Sequence, residues 1–132
     1  MKVYNFKNTG AAEALMKEMK HVGASRPISS VVPDYISCGM FPATTVPCLV
    51  MSDCGEELVL KDNKIPPKLH SAVKKAIRTF HRETACCHHD LHPGNLVQDS
   101  HGTVRVIDLA SMAPASPAKR KAELAAFSAD YM

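Results

Sequence analysis

The stretch Cys86–Ala110, "CCHHDLHPGNLVQDSHGTVRVIDLA", decides how this chain is read. Its first seven residues hold three histidines (His88, His89, His92) and adjacent cysteines (Cys86, Cys87); an aspartate and an asparagine stand five positions apart (Asp90, Asn95), and a further aspartate, Asp108, follows an apolar run. "NLVQ" and "TVRVID" read as two short strands. "DSHG" between them carries hairpin chemistry, with Gly102 able to take a positive φ. A hairpin brings its two ends together, so Asn95, entering the first strand, and Asp108, leaving the second, are expected to be neighbours. A carboxylate beside an amide oxygen suits a hard cation such as Mg²⁺, which takes oxygen ligands and keeps several waters. Asp90 then stands nearby as a second carboxylate, free to orient or deprotonate a hydroxyl. Metal held by Asp and Asn, with a separate Asp facing the nucleophile, is the inventory of phosphoryl transfer.

Two plainer readings compete. The run "CCHHDLH" offers sulfur and imidazole, but adjacent Cys and adjacent His do not converge readily on one tetrahedral ion, and structural zinc sites prefer wider spacings. Cys86 and Cys87 read instead as small apolar residues of a buried strand. Asp90, Asn95 and Asp108 could also be turn formers in a loop rich in Asx residues.

Outward from this stretch, "KLHSAVKKAIRTFHRE" is the clearest helix. Leu69, Val73, Ala76, Ile77 and Phe80 lie on one face, with Lys74, Lys75 and Arg78 off it. Before it, "DYISCGMF" and "VPCLVMS" (Val46–Ser52) read as strands close enough to form a hairpin across "PATT". "DCGEEL" leaves the second of them through Gly55. Nearer the N-terminus, "AAEALMKEMKHV" (Ala11–Val22) carries Ala11, Leu15, Met19 and Val22 on one stripe, with Thr9 as N-cap. "KVYNF" (Lys2–Phe6) is a short β-type run. After Asp108, "SMAPASPA" is a Pro-punctuated loop, and "AKRKAELAAFSADYM" is helical, with Leu124 and Phe127 three apart.

A chain of 132 residues is one domain or a piece of one. The net charge of +3 is weak, and the cluster Lys119-Arg120-Lys121 reads as a solvated helix face, so nothing argues for nucleic acid. The five cysteines are odd in number and scattered, which implies no disulfide framework and a reducing compartment. "MKVYNFKNTG" has no apolar core of a secretory signal, and no apolar run has the length of a membrane span. A cytoplasmic protein with no membrane partner is the expectation.

"HHDLHPGN" resembles the catalytic loop of the protein-kinase-like superfamily, H-x-D-x-x-x-x-N, in the "HGDLHPGN" form of its aminoglycoside-phosphotransferase-like and fungal kinase-like members. "VIDLA" resembles their metal-binding Asp motif, "FHRETACCHHDL" the helix end leading into the loop, and "VPCLVMSDCGEEL" the strand and hinge that hold adenine. The resemblance runs from Lys2 to about Ala110. It implies an α+β fold: a reduced upper lobe (1–52) of about three strands and one helix, a hinge at 53–55, and a reduced helical lower lobe (56–132) with the catalytic-loop hairpin. It implies ATP and Mg²⁺ as cofactors and a hydroxyl-bearing small molecule or protein as acceptor, with "HPGN" leaning toward small molecules. By position, Asp90 resembles the catalytic Asp, and Asn95 and Asp108 the metal ligands. Lys2 resembles the strand lysine that pairs the phosphates, and Glu13 the helix glutamate that orients it, with Glu18 as the competing choice. Met51 takes the gatekeeper position, and the backbone of Ser52 to Cys54 would face adenine.

The departures are equally specific. No Gly-rich loop precedes Lys2, His89 replaces the usual Arg of H-R-D, and no A-P-E motif follows Asp108. The chain therefore reads as truncated at both ends. Its alternative function is that of an inactive pseudokinase or kinase-like fragment serving protein interaction. Two consequences are expected: strand Lys2–Phe6 becomes an edge open to self-association, and the apolar stripe of the central helix lacks its usual cover, with the Leu124/Phe127 helix as the available substitute.

Overall fold

The apolar stripe of the central helix fixes where the core lies. A computed structural model of the chain describes residues 2–3, 9–24, 29–40 and 47–132, with side chains from Val50 onward and for residues 13, 15–21 and 29–34. Within it the stripe runs along a helix, α2 (His70–Thr84), entered through a 3₁₀ turn at Pro67–Leu69. Val73, Ile77 and Phe80 are buried together with Leu96, Val106 and Phe127. Each such side chain contributes roughly 1.5–3 kcal/mol by leaving water. Phe80 is 1 % exposed, and the Leu124/Phe127 helix is part of what covers α2. The hairpin strand Val104–Val106 and the C-terminal helix Pro117–Tyr131 pack on it.

Eight short strands and three α-helices are described: β1 (Lys2–Val3), α1 (Thr9–Ala24), β2 (Tyr35–Met40), β3 (Pro47–Met51), β4 (Glu56–Glu57), α2, β5 (Cys86–Cys87), β6 (Leu96–Gln98), β7 (Val104–Val106), β8 (Ala113–Pro114) and α3 (Pro117–Tyr131). They form three small antiparallel sheets, in the orders β1-β3-β2, β4-β6-β7 and β5-β8. The fold is thus mixed α+β. The remainder of the Lys2–Phe6 run and the "PATT" turn lie outside the described residues. Helix α1 begins at Thr9 itself, ahead of the stripe that announces it. Among the described residues no helix is long and apolar enough to cross a membrane.

Three local devices aim the chain at the site. Gly55 has φ +110°, and a Cβ there would lie 2.1 Å from the Gln98 carbonyl oxygen. Only glycine permits that approach, and it lets β4 pair with β6. Ala85 takes a left-handed conformation (φ 56°) that ends α2 and turns the chain into β5. Ser116 accepts from the Lys119 N–H and Pro117 follows, which starts α3. The far end of α3 is closed by Lys64, whose ammonium donates to the Asp130 carbonyl at 2.8 Å, a favourable charge for a helix C-terminus.

Candidate functional site

Asp90 and Asn95 lie in the segment between β5 and β6. Pro93–Asn95 form a 3₁₀ turn, and within it the Asn95 N–H donates to the His92 carbonyl at 2.9 Å. That turn swings the Asn95 side chain back on the loop. Its Nδ2 donates to the Asp90 carbonyl at 2.8 Å and lies 3.4 Å from Asp90 Oδ2. Asn95 is buried, and Asp90 is exposed. The β6–β7 hairpin pairs Leu96 with Val106, and the Ile107 N–H donates to the Asn95 carbonyl at 3.0 Å. Asp108 is therefore one residue past the backbone partner of Asn95. Gly102 takes φ +84° in the connecting turn. Asp99 there accepts from Arg105 at 2.7 Å, which with the turn N–H groups of Thr103 and His101 holds its carboxyl at about 2.

Two residues flanking these groups stand in the left-handed region without being glycine: His89, just before Asp90, at φ 64°, and Asp108 itself at φ 61°. Such conformations cost on the order of 1–3 kcal/mol and cluster at functional sites. Each is held by a different helix. The carboxylate of Glu123, on α3, accepts from the His88 N–H at 3.1 Å, the His89 N–H at 2.7 Å and His81 Nε2 at 2.6 Å. Burial alone would raise the Glu123 carboxyl, but these donors hold it at about 2. Around Asp108 the anchor is α1: the Leu109 N–H donates to Glu18 Oε1 at 3.3 Å, and the Leu109 carbonyl lies 2.9 Å from His21 Nδ1. His88 is fully buried, with Nε2 2.9 Å from the Ile107 carbonyl, and so ties the two segments together.

Helix α1 turns Glu13 to solvent and Glu18 inward, where it is fully buried. Leu15, also fully buried, is three residues before Glu18 and shares its face. Glu18, the competing choice, has an oxygen 3.3 Å from the Leu109 N–H. Lys2 pairs through its backbone with Leu49 of β3, and its side chain lies outside the described residues. Met51 ends β3 half-buried. The Ser52 N–H donates to the Asp34 carbonyl at 2.8 Å. Cys54 is buried, and burial pushes its thiol up. The Cys86–His92 run does not gather: Cys86, Cys87 and His88 are buried while His89 is exposed. Among the described residues no group of three or more His, Cys, Asp or Glu could hold a metal ion.

Glu123, His81 and His21 were missed by the sequence reading. The signal for Glu123 was present: it lies four residues before Phe127, on the face α3 buries. An open cavity of about 960 Å³ beside the 53–57 segment is lined by Asp53, Glu56, Glu57 and Asp99 and by none of Asp90, Asn95 or Asp108. Among the described residues, Lys68 is the one basic residue in its lining.

No family model matches the sequence, and no curated protein matches it. Solved structures do match. Monomeric WbdD superposes with a TM-score of 0.61 at 18 % identity over 92 % of this chain and 29 % of that one. WbdD co-crystallised with the kinase inhibitor LY294002 gives a TM-score of 0.61 at 17 % identity over 98 % of this chain and 30 % of that one. The bifunctional kinase-methyltransferase WbdD gives 0.59 at 18 % identity over 88 % and 26 %. At such identity the likeness is one of fold alone, shared with part of each WbdD structure. The chain spans less than a third of the length of these structures.

Proposed function

We propose that this chain is the core of an ATP- and Mg²⁺-dependent phosphotransferase that acts on a hydroxyl of a small molecule or protein. One observation carries the reading: the Asn95 amide nitrogen donates to the Asp90 carbonyl at 2.8 Å and lies 3.4 Å from Asp90 Oδ2, so the two share one loop at the foot of the hairpin that leads to Asp108. An amide oxygen and a carboxylate are the oxygen donors that Mg²⁺ takes, so the residues fit the ion. Bound there, Mg²⁺ would neutralise charge building on the phosphate oxygens. Asp90 takes the proton of the acceptor hydroxyl as that oxygen bonds to the γ-phosphorus. The bond from γ-phosphorus to the β,γ-bridging oxygen breaks, and ADP leaves with the electron pair. Glu18, rather than Glu13, is the partner proposed for Lys2 at the phosphates. The Ser52 carbonyl and the Cys54 backbone, below the Met51 gatekeeper, are the groups proposed to meet adenine. Residues 1–52 and 56–132 act as two lobes about 53–55. The "HPGN" form of the loop supports the small-molecule branch.

The second reading is an inactive, protein-binding relative. It is favoured by β1, which has one neighbour, β3, among the described residues, with nothing described beyond it to roof a triphosphate. Positioning is most of phosphoryl-transfer catalysis. Magnesium-dependent ATP turnover separates the two. The phosphotransferase reading expects turnover in the wild type and its loss in Asp90→Asn. Equal rates in both proteins would leave the second reading standing.

A further inference from the structure

The two oxygens of Asp90 face two different groups. Oδ2 lies 3.4 Å from Asn95 Nδ2, and Oδ1 lies 3.9 Å from His92 Nε2. The local chain explains the second approach. His92 is extended (φ −146°, ψ 165°), and residues two apart in an extended segment share a face. Leu91 between them packs toward the core, which leaves Asp90 and His92 on the open side. Gly94 sets the ring: a Cβ there would lie 3.0 Å from His92 Cε1 and 3.1 Å from Nδ1. The bare glycine thus accepts one edge of the imidazole, and the opposite nitrogen, Nε2, is the one toward Asp90.

From this we infer that His92 is a positioning residue for Asp90: its Nε2–H holds Oδ1, while Asn95 holds the other side of the carboxylate. The inference rests on the phosphotransfer reading of Asp90. A base on an exposed loop must keep one rotamer to meet a hydroxyl, and misplacement of the order of 1 Å is costly in rate. The bond to Asn95 fixes the Asp90 main chain at 2.8 Å, while at the carboxylate Asn95 Nδ2 at 3.4 Å and His92 Nε2 at 3.9 Å flank the two oxygens from different sides. At 3.9 Å the His92 contact is an ion-pair approach, and catalytic contacts are often long in the free enzyme and tighten only with substrate. Both side chains are about half exposed, and an exposed pair contributes little to stability. The role is therefore one of aim, and substitution should leave the fold intact.

The test has two arms on the whole chain. In the first, the side-chain nitrogen and Cε1 resonances of His92 are recorded by NMR without nucleotide, in wild type and in Asp90→Ala, with exposed His101 as the internal control. We expect the Nε2–H tautomer in the wild type and a shift confined to His92 in the variant. Identical His92 signals in the two proteins overturn the proposal. In the second, Mg²⁺·ATP turnover is measured. His92→Ala should lower kcat about tenfold with KM and melting temperature unchanged. His92→Gln, which keeps an N–H at similar reach, should restore most of it, and Gly94→Ala, which presses on the ring, should fall between. A loss that His92→Gln does not rescue, or one that appears in KM, overturns the positioning role. A wild type no faster than Asp90→Asn overturns the phosphotransfer reading itself. That result is distinct from a missing contact, because the NMR arm is read without nucleotide.

Discussion

Asp90 and Asp108 carry similar chemistry, yet they are held in opposite ways. The segment leading to Asp90 is gripped from α3 by one carboxylate, Glu123, that accepts from two backbone N–H groups and an imidazole. The segment leaving Asp108 is gripped from α1 by two side chains, Glu18 and His21, that take the N–H and the carbonyl of a single residue, Leu109. The first anchor is a charge bonded three times. The second is a pair of bonds made by a helix that also packs on β3 of the N-terminal sheet. Each grip faces a strained backbone, at His89 and at Asp108. The difference teaches that the loop carrying the proposed base is built into the core helices, whereas the proposed metal carboxylate is set by how α1 sits. The two halves of the site can therefore fail separately.

The largest effect is expected in turnover. Asp90→Asn should cost about 10²–10⁴-fold, the range for a positioned general base, while nucleotide binding survives. Asp108→Ala should lose binding of Mg²⁺·ATP as well, measured by titration calorimetry. If both variants lose binding alike, the two carboxylates are not functionally distinct.

Next comes the α3 anchor. The Glu123 carboxyl lies at about 2, below its ordinary 4.5, because His81 and the loop N–H groups favour its charged form. A folded-state value lowered in this way stabilises the fold above pH 4.5, and the contribution is lost as pH falls from there to about 2. Denaturant unfolding at a series of pH values should show this loss in the wild type and not in Glu123→Ala, which should already be weakened at neutral pH. A variant with the same acid profile as the wild type would put the anchor elsewhere.

A smaller effect belongs to α1. His21→Ala removes one hydrogen bond to Leu109 and should cost about 1 kcal/mol. It should weaken Mg²⁺·ATP binding and leave the His88 and His89 amide signals in place. Movement of those amides by the His21 change would show that the two grips are one.

The site was legible where chemistry and local spacing coincide. The five-residue step from Asp90 to Asn95 and the hairpin to Asp108 could be read because a tight turn fixes geometry from a few residues. The α2 stripe and the β2–β3 hairpin could be read for the same reason. β4 and β8 could not: each is two residues long and exists only through a partner distant in sequence, Val97–Gln98 for one and Cys86–Cys87 for the other. Glu18 was legible in principle, since it follows buried Leu15 by three, but a carboxylate in a buried stripe reads as a break in the pattern until its partner, the Leu109 N–H, is known. Glu123 was hidden in the same way, as the C-terminal helix was read through its apolar residues alone.

The smallest expected effect concerns association. β1 is an edge of its sheet among the described residues, and an edge presents unpaired N–H and C=O groups. Light scattering at micromolar concentration should find self-association. A monodisperse monomer would remove β1 as an interaction surface, without touching the comparison of the two carboxylates.

The central claim is that Asn95 and Asp108 meet on one cation. Mn²⁺ replaces Mg²⁺ in sites of oxygen donors and broadens nearby NMR signals. With ATP present, substoichiometric Mn²⁺ should erase the Asn95 side-chain amide and the Asp108 and Leu109 backbone signals first, and Asp108→Ala should abolish that pattern. Broadening that instead centres on the acidic rim at Asp53, Glu56, Glu57 and Asp99, and persists in Asp108→Ala, would contradict the account.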